Sequence, residues 1–369
     1  MRILVERNGG EILRAFGMLK DRLGDLSLAL YGEAQRCCAV MDVCEELGLP
    51  VACICDTQGS SGEHRDYYGV PITTPEALQK EFADSIVAVC REDGVVADLA
   101  NKGLILIPPE YSKMLMVFSK RPSIRTFREN CLDGYAWAFD FFKDEISKQT
   151  VVDRLRLYFC GKPMQANTQC ALYYEDGYIS IGENEVFVDG GAYKGETSLG
   201  FIKRLKSQNY GHAHIYAFEP DTKMYPLAVE NLSQCPNTTV IPKGLWSAEV
   251  ELSFYESSAT ASSSFLNMPV SSAALAKAPV TSLDTVFAGV PDSDLPTFIK
   301  MDIEGAEKEA LTGAADIIRR KKPKLAICAY HKPEDVFELP QTILNIRDDY
   351  SFALRQHENG VWDTIIYAV

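Results

Sequence analysis

Apolar residues along this chain fall into two series of short runs, separated by a stretch with a different rhythm. In the first series LSLALYG (26–32), PVACICD (50–56), SIVAVC (85–90) and LILIPP (104–109) are apolar runs of strand length. Between the first two, EAQRCCAVMDVCEELG (33–48) carries apolar residues at helical spacing and ends on Gly48, a residue suited to the position just past a helix. A polar loop, TQGSSGEHRD, follows the second run. GVPITTPEALQKEF then predicts a turn and a helix with Thr74 as N-cap and Pro75 at the first helical position. Alternation of this kind predicts a parallel sheet with covering helices.

The rhythm changes over residues 111–180. FRENCLDGYAWAFDFFKDEISKQTVVDRLRLYFCG (127–161) mixes aromatic and charged residues at helical spacing and predicts two or three helices, ended by Gly161, Lys162 and Pro163. Its rings, Tyr135, Trp137, Phe139, Phe141 and Phe142, are expected to be buried packing, since large apolar rings stabilise chiefly by burial. Residues 181–369 return to alternation. EVFVDGGAYKGETSLGFIKRL (185–205) reads as strand, glycine-rich turn and helix, and HIYAFEPD (214–221) and TTVIPKG (238–244) as strands. EVELSFYE reads as an added strand, and SSATASSSF (257–265) as a mobile loop or a cover over the site. TFIKMD and PKLAICAYH are strands flanking a single helix, AEKEALTGAADIIRR. SFALRQHENGVWDTIIYAV (351–369) is a closing hairpin whose Asn359-Gly360 favours a tight turn. The organisation expected is therefore a Rossmann-like α/β domain over 1–110, a helical bridge over 111–180 and a second α/β domain over 181–369.

Composition narrows the class. Of 369 residues, 46% are hydrophobic and 24% charged, the balance of a globular chain rather than a disordered one. No apolar run approaches the ~18 residues of a membrane-spanning helix, and MRILVERNGG has charges where a signal peptide needs apolar residues. A cytoplasmic location is the expectation. The net charge of −14 disfavours a nucleic-acid partner, which would need a cationic surface; RRKK (319–322) reads as a helix end, where cations suit the dipole. The 11 cysteines form no CxxC pair and no zinc-finger spacing, so they are expected to be reduced and mostly buried.

Two turns carry the candidate chemistry. The first runs Gly32-Glu33-Ala34-Gln35-Arg36-Cys37, with Ala34 and Cys37 where a dinucleotide-binding G-x-G-x-x-G turn has glycine. Asp56 ends the next strand, where an acid can hold a ribose. The fold signal is good and the ligand signal poor; with its CICD and GVPITTPEAL, the segment resembles the Rossmann-like domain that precedes some sugar-modifying enzymes. The second turn follows Asp189 with Gly190, Gly191, Ala192, Tyr193 and Gly195, and Thr197 opens the helix. Its spacing, D-G-G-x-x-x-G, suits S-adenosylmethionine, which has no pyrophosphate to cradle. Glu219, followed by Pro220, ends the next strand, where an acid accepts ribose hydroxyls. Leu245 and Trp246 follow the third strand, at the place of an adenine ring. Lys300, Asp302, Glu304 and His331 fall at the carboxyl ends of two further strands, the rim where parallel sheets place ligands.

VFVDGGAYKGETS, AFEPD, FIKMDIEGAEKEAL and AYHKPEDVFELP occur in the order seen in the FkbM-family S-adenosylmethionine-dependent methyltransferases, which this chain resembles over about residues 140–369. The resemblance implies a class I methyltransferase-type seven-stranded sheet, S-adenosylmethionine as cofactor and O-methylation of a sugar or polyketide-like hydroxyl. By motif match, Asp189, Gly191 and Gly195 hold the methionine end and Glu219 the ribose. Asp302, Glu304 and His331 carry the acceptor chemistry, His331 as the base that takes the hydroxyl proton. The rival is a divalent metal on Asp302, Glu304 and His331. A non-catalytic cofactor-binding scaffold and a nicotinamide-dependent oxidoreductase are the alternative classes. The acceptor and the oligomeric state are not specified by the sequence.

Overall fold

The computed structural model describes residues 26–32, 34–46, 48–57, 65–67, 69–82, 84–90, 104–106, 124–160, 164–211, 214–256 and 274–369. The SSATASSSF segment and the Gly161-Lys162-Pro163 helix stop lie outside them. The chain divides into two compact units, one of residues 1–132 and 155–162, the other of residues 133–154 and 163–369.

The first unit is a five-stranded sheet of order β3-β4-β2-β1-β5. Its strands are β1 (Leu28–Gly32), β2 (Val51–Asp56), β3 (Arg65–Tyr67), β4 (Val70–Thr73) and β5 (Ile86–Val89), with helices α1 (Ala34–Glu46) and α2 (Pro75–Glu81). The N-cap of α2 is Thr74, whose side chain accepts from the Ala77 N–H, with Pro75 first in the helix. Two elements differ from expectation. The polar loop and the turn before Thr74 contain a small antiparallel pair, Arg65–Tyr67 on Val70–Thr73, tightened by the Gly69 N–H donating to Asp66 at 2.9 Å. Of LILIPP, residues 104–106 are described, and they contribute a bridge, Leu106 to Val87.

The second unit is built on a seven-stranded sheet of order β14-β15-β13-β12-β6-β7-β8. Its members are β6 (Val186–Gly190), β7 (His214–Phe218), β8 (Thr238–Ile241), β12 (Phe298–Met301), β13 (Lys324–Cys328), β14 (Phe352–Gln356) and β15 (Thr364–Ala368). Only β15 runs against its neighbours. The order reverses at β6, which pairs with β7 on one side and β12 on the other, so a crevice opens at their carboxyl ends. Stacked rings of Phe187, Phe201 and Phe298 fill one face.

A small second sheet sits in this unit. β9 (Gly244–Leu245) leaves the line of β8 and pairs with β11 (Ala274–Thr281), which also pairs with β10 (Val250–Glu256). The expected single helix over 306–320 is two, Glu307–Thr312 and Ala315–Lys321. Gly313 marks the break: a Cβ there would lie 2.1 Å from the Trp246 carbonyl oxygen, and its own carbonyl accepts from Asp284 N–H at 2.9 Å. Among the bridge rings, Tyr135 and Phe142 are buried, whereas Phe139 is exposed. The closing hairpin has a long connection rather than a tight Asn-Gly turn, because Gly360 pairs with Met164.

Candidate active site

The carboxyl ends of β6, β7 and β12 surround a cavity of about 450 Å3, within the ~300–1,000 Å3 usual for small-molecule sites. It is lined by ten of the residues singled out from the sequence: Gly191, Ala192, Tyr193, Thr197, Glu219, Pro220, Leu245, Lys300, Asp302 and Glu304. Glu196, Phe218, Asp221, Gly244 and Ile303 line it as well. Each of these five is a direct neighbour of a motif residue, which was the available signal. Asp189, Gly190, Gly195, Trp246 and His331 are not in the lining.

Asp189 is fully buried at the end of β6. Its Oδ2 accepts from Ser198 at 2.7 Å and its Oδ1 from Lys300 Nζ at 3.0 Å. Lys300 donates further to the carbonyls of Gly190 (2.9 Å) and Gly191 (2.8 Å). An ammonium has three donors, and all three of Lys300's are taken up by Asp189 and the turn, which it clamps. Asp189 likewise shapes the turn rather than facing the cavity.

The glycines are required by packing. Gly191 has φ +74° and a Cβ there would lie 1.8 Å from the Asp302 carbonyl oxygen. The equivalent Cβ on Gly195, at φ +85°, would meet Leu232 at 2.9 Å. Trp246 holds β11 through its backbone, its N–H donating to Thr281 O at 2.8 Å, which leaves Leu245 as the apolar residue of that pair in the cavity.

Glu219 faces the other side. Its Oε2 accepts from the Tyr193 N–H at 2.7 Å and its Oε1 from the Asp221 N–H at 2.8 Å. Burial pushes its carboxyl up to about 7 despite those two bonds. Each oxygen retains a lone pair for a ligand donor.

The acid rim lies at the end of β12. Asp302 accepts from Tyr330 on Oδ1 (2.8 Å) and Tyr173 on Oδ2 (2.9 Å). Burial opposes its charge, yet Lys300, His331 and those two hydroxyls hold the carboxyl below its usual range. Glu304, in the left-handed region at φ +55°, keeps 37% of its side chain exposed. Burial raises its carboxyl, with Asp302 and Glu307 adding to the rise and His331 opposing it.

His331 lies beyond the end of β13 with its side chain only 5% exposed. Its Nδ1 is 3.0 Å from Glu307 Oε1, and its Nε2 is 3.5 Å from Asp302 Oδ1 and 3.7 Å from Glu304 Oε2. Burial disfavours the imidazolium, but Glu307, Asp302 and Glu304 together outweigh it and hold the ring up at about 10. The ring that the sequence offers as base is thus enclosed by three carboxylates, which favour its protonated form. Glu307 was missed: in sequence it reads as an ordinary first-turn acid of a helix, and only the fold shows it fully buried.

A sheet reversed at β6, with a strand-end acid on β7 and a cavity at the crevice, defines a methyltransferase-type α/β unit. Residues 189–354 match the methyltransferase FkbM domain, which supports a methyltransferase. A search of curated proteins gave no match. Among solved structures, the methyltransferase FkbM from Methylobacillus flagellatus KT is 23% identical, with a TM-score of 0.58 over 100% of this chain and 97% of that one. Aeropyrum pernix fibrillarin in complex with S-adenosyl-L-methionine is 10% identical, with a TM-score of 0.31 over 51% of this chain and 67% of that one. A SAM-dependent methyltransferase from Aquifex aeolicus is 15% identical, with a TM-score of 0.29 over 51% and 84%. Among the described residues no helix is long and apolar enough to cross a membrane.

Proposed function

We propose that the second unit transfers the methyl group of S-adenosylmethionine to a hydroxyl of a sugar or polyketide-like small molecule. The observation that carries this reading is Glu219, a buried carboxyl at the mouth of the crevice whose raised protonation two ribose hydroxyls would relieve. Leu245, Phe218 and Ile303 offer apolar surface for the adenine. The Gly191–Tyr193 turn and the exposed carboxylate of Glu196 face the methionine end, where Glu196 complements its ammonium. Beyond them Asp302 and Glu304 mark where the acceptor enters.

The reaction is a direct displacement. The acceptor oxygen bonds to the methyl carbon as the carbon–sulfur bond breaks, and the sulfonium becomes a neutral thioether. The hydroxyl proton has to leave, and Glu304 is the group placed for it: a part-exposed rim carboxylate with a raised affinity for protons, in place of the encased His331. Holding the two reactants together supplies much of the acceleration, and proton transfer roughly two to four decades.

Calorimetric titration with S-adenosylmethionine, followed by a turnover assay for S-adenosylhomocysteine across a panel of sugars and polyketide alcohols, tests the reading. Glu304→Gln should keep cofactor affinity and lose roughly two to four decades in rate. A folded protein that does not bind S-adenosylmethionine refutes the proposal, and a wild-type rate in Glu304→Gln removes Glu304 from the chemistry.

A further inference from the structure

Behind the rim the site holds more donor atoms than the methyl transfer uses. Asp302, Glu307 and His331 each present a ligand atom, and these atoms lie within 4.8 Å of one another. Glu307 is fully buried, with Oε1 accepting from the Ile303 N–H at 2.9 Å. Its Oε2 and both ring nitrogens of His331 are buried without an aligned hydrogen bond. The 3.0 Å approach of Nδ1 to Glu307 is thus an ionic contact rather than a directed bond. Buried polar atoms normally find such partners, and three such atoms on two residues in contact mark a place where something is held.

Charge points the same way. Asp302, Glu304 and Glu307 surround a single imidazole. Lys300, which acts on Asp302, spends its donors on Asp189 and two carbonyls. Three carboxylates against one imidazole leave an excess of negative charge in a confined volume, which is costly without compensation.

We propose that Asp302, Glu307 and His331 bind one divalent first-row transition cation. One imidazole nitrogen with two carboxylates suits Mn2+, Fe2+ or Zn2+ better than an all-oxygen site suits them, and three protein donors leave coordination positions open. The ring binds as neutral imidazole, so the ion displaces its proton to solvent. Asp302 also lines the cavity, which puts the ion beside the place of the acceptor hydroxyl. Its use there, lowering the hydroxyl's proton affinity while Glu304 takes the proton, rests on the proposed methyl transfer; the binding itself does not.

The full-length protein, stripped with chelator, is titrated with Mn2+ alone and the free-ion paramagnetic signal is followed. One saturable site is expected at submillimolar concentration. Asp302→Asn and His331→Gln should each weaken it roughly 10- to 100-fold or more. Glu309→Gln, on the same helix but outside the cluster, should leave it unchanged. Circular dichroism establishes that each variant is folded, and Asp302→Asn, which keeps the side-chain volume, stands if His331→Gln is not. No saturation up to millimolar Mn2+, or equal affinity in the folded variants, overturns the proposal. S-adenosylmethionine titrated into the same metal-free protein separates the two readings: cofactor binding without Mn2+ binding removes the cation site alone, and Mn2+ binding without cofactor binding removes the methyl-transfer reading alone.

Discussion

The two sheets of this protein begin with the same unit and end in different places. In each, a strand leads through a helix to a parallel neighbour, β1 to β2 in the first and β6 to β7 in the second. In each, an acid stands at or just past the end of that neighbour: Asp56 and Glu219. What differs is the turn between strand and helix. In the first unit only Glu33 separates Gly32 from Ala34, where α1 begins. In the second, residues 191–195 intervene before the helix Glu196–Ser207, with Gly191, Tyr193 and Gly195 all at positive φ. Close packing is common to both turns, since a Cβ would lie 3.1 Å from the Cys90 carbonyl oxygen at Gly32 and 1.8 Å from the Asp302 carbonyl oxygen at Gly191. The long turn, clamped from below by Lys300, keeps the crevice of the second sheet open. The two turns share their place in the strand order and differ in length and in the support beneath them.

The largest expected effect comes from removing that support. Lys300→Met takes away the cation and strands Asp189, which is fully buried. Breaking a buried ion pair from one side costs about 3–5 kcal/mol. The three tryptophans, Trp137, Trp246 and Trp362, all belong to the second unit, so the urea midpoint followed by their fluorescence reads its stability selectively. A midpoint within error of wild type would mean the clamp is not what holds the turn.

Next is the paired replacement of the two strand-end acids. Glu219→Ala should weaken S-adenosylmethionine binding by about 1.5–3 kcal/mol, the worth of hydrogen bonds to a charged group, or roughly 10- to 100-fold. Asp56→Ala should leave that affinity unchanged. Calorimetry on both variants sharpens the comparison, and an equal loss in the two would dissolve it.

How far all this could be read in advance follows from where each fact resides. The strands, the order of the motifs and the strand-end acids are local patterns: an apolar run, a glycine, an acid at a fixed offset. They were legible, as was the Thr74–Pro75 helix start. What the sequence hid depends on partners far along the chain. Lys300 meets Asp189 across 111 positions, so each reads alone as a functional charge rather than as half of a clamp. His331 looks like a free base until Glu307, Asp302 and Glu304 close around it. The break at Gly313 needs the Trp246 carbonyl, and β11 has no partner until β10 and β9 are placed. The short β3–β4 pair was hidden by polarity, because edge strands need not be apolar on both faces.

A smaller effect is the pH dependence that Glu219 imposes. Its folded-state pKa of about 7 lies above the ordinary carboxyl value. Its contribution to stability is therefore present in full at acid pH and is lost as pH rises through about 7. Cofactor binding runs in the opposite sense, since ribose hydroxyls donate to the anion. Affinity for S-adenosylmethionine should rise with pH between 6 and 8, by at most about one decade per pH unit, and level off above the pKa. Calorimetry across that range in wild type and Glu219→Gln decides it: the slope should vanish in the variant. A slope that persists there belongs to another group.

The smallest expected effect is on the first unit, where the comparison predicts no binding at all. A dinucleotide needs a turn whose backbone N–H groups can approach its pyrophosphate, with glycines to permit the approach. Here Ala34 is already inside α1 and Cys37 is buried within it. The thiols around the strand ends are packing rather than chemistry. Burial pushes the Cys53 thiol up to about 12 and holds the Cys37 thiol well above its usual value, so neither supplies a thiolate near neutral pH. NAD titrated into the full-length protein should give no saturable heat at millimolar concentration, with or without S-adenosylmethionine. Saturable NAD binding that Asp56→Ala abolishes would show that a one-residue turn suffices for a nucleotide, and the account of the difference between the two sheets would have to be given up.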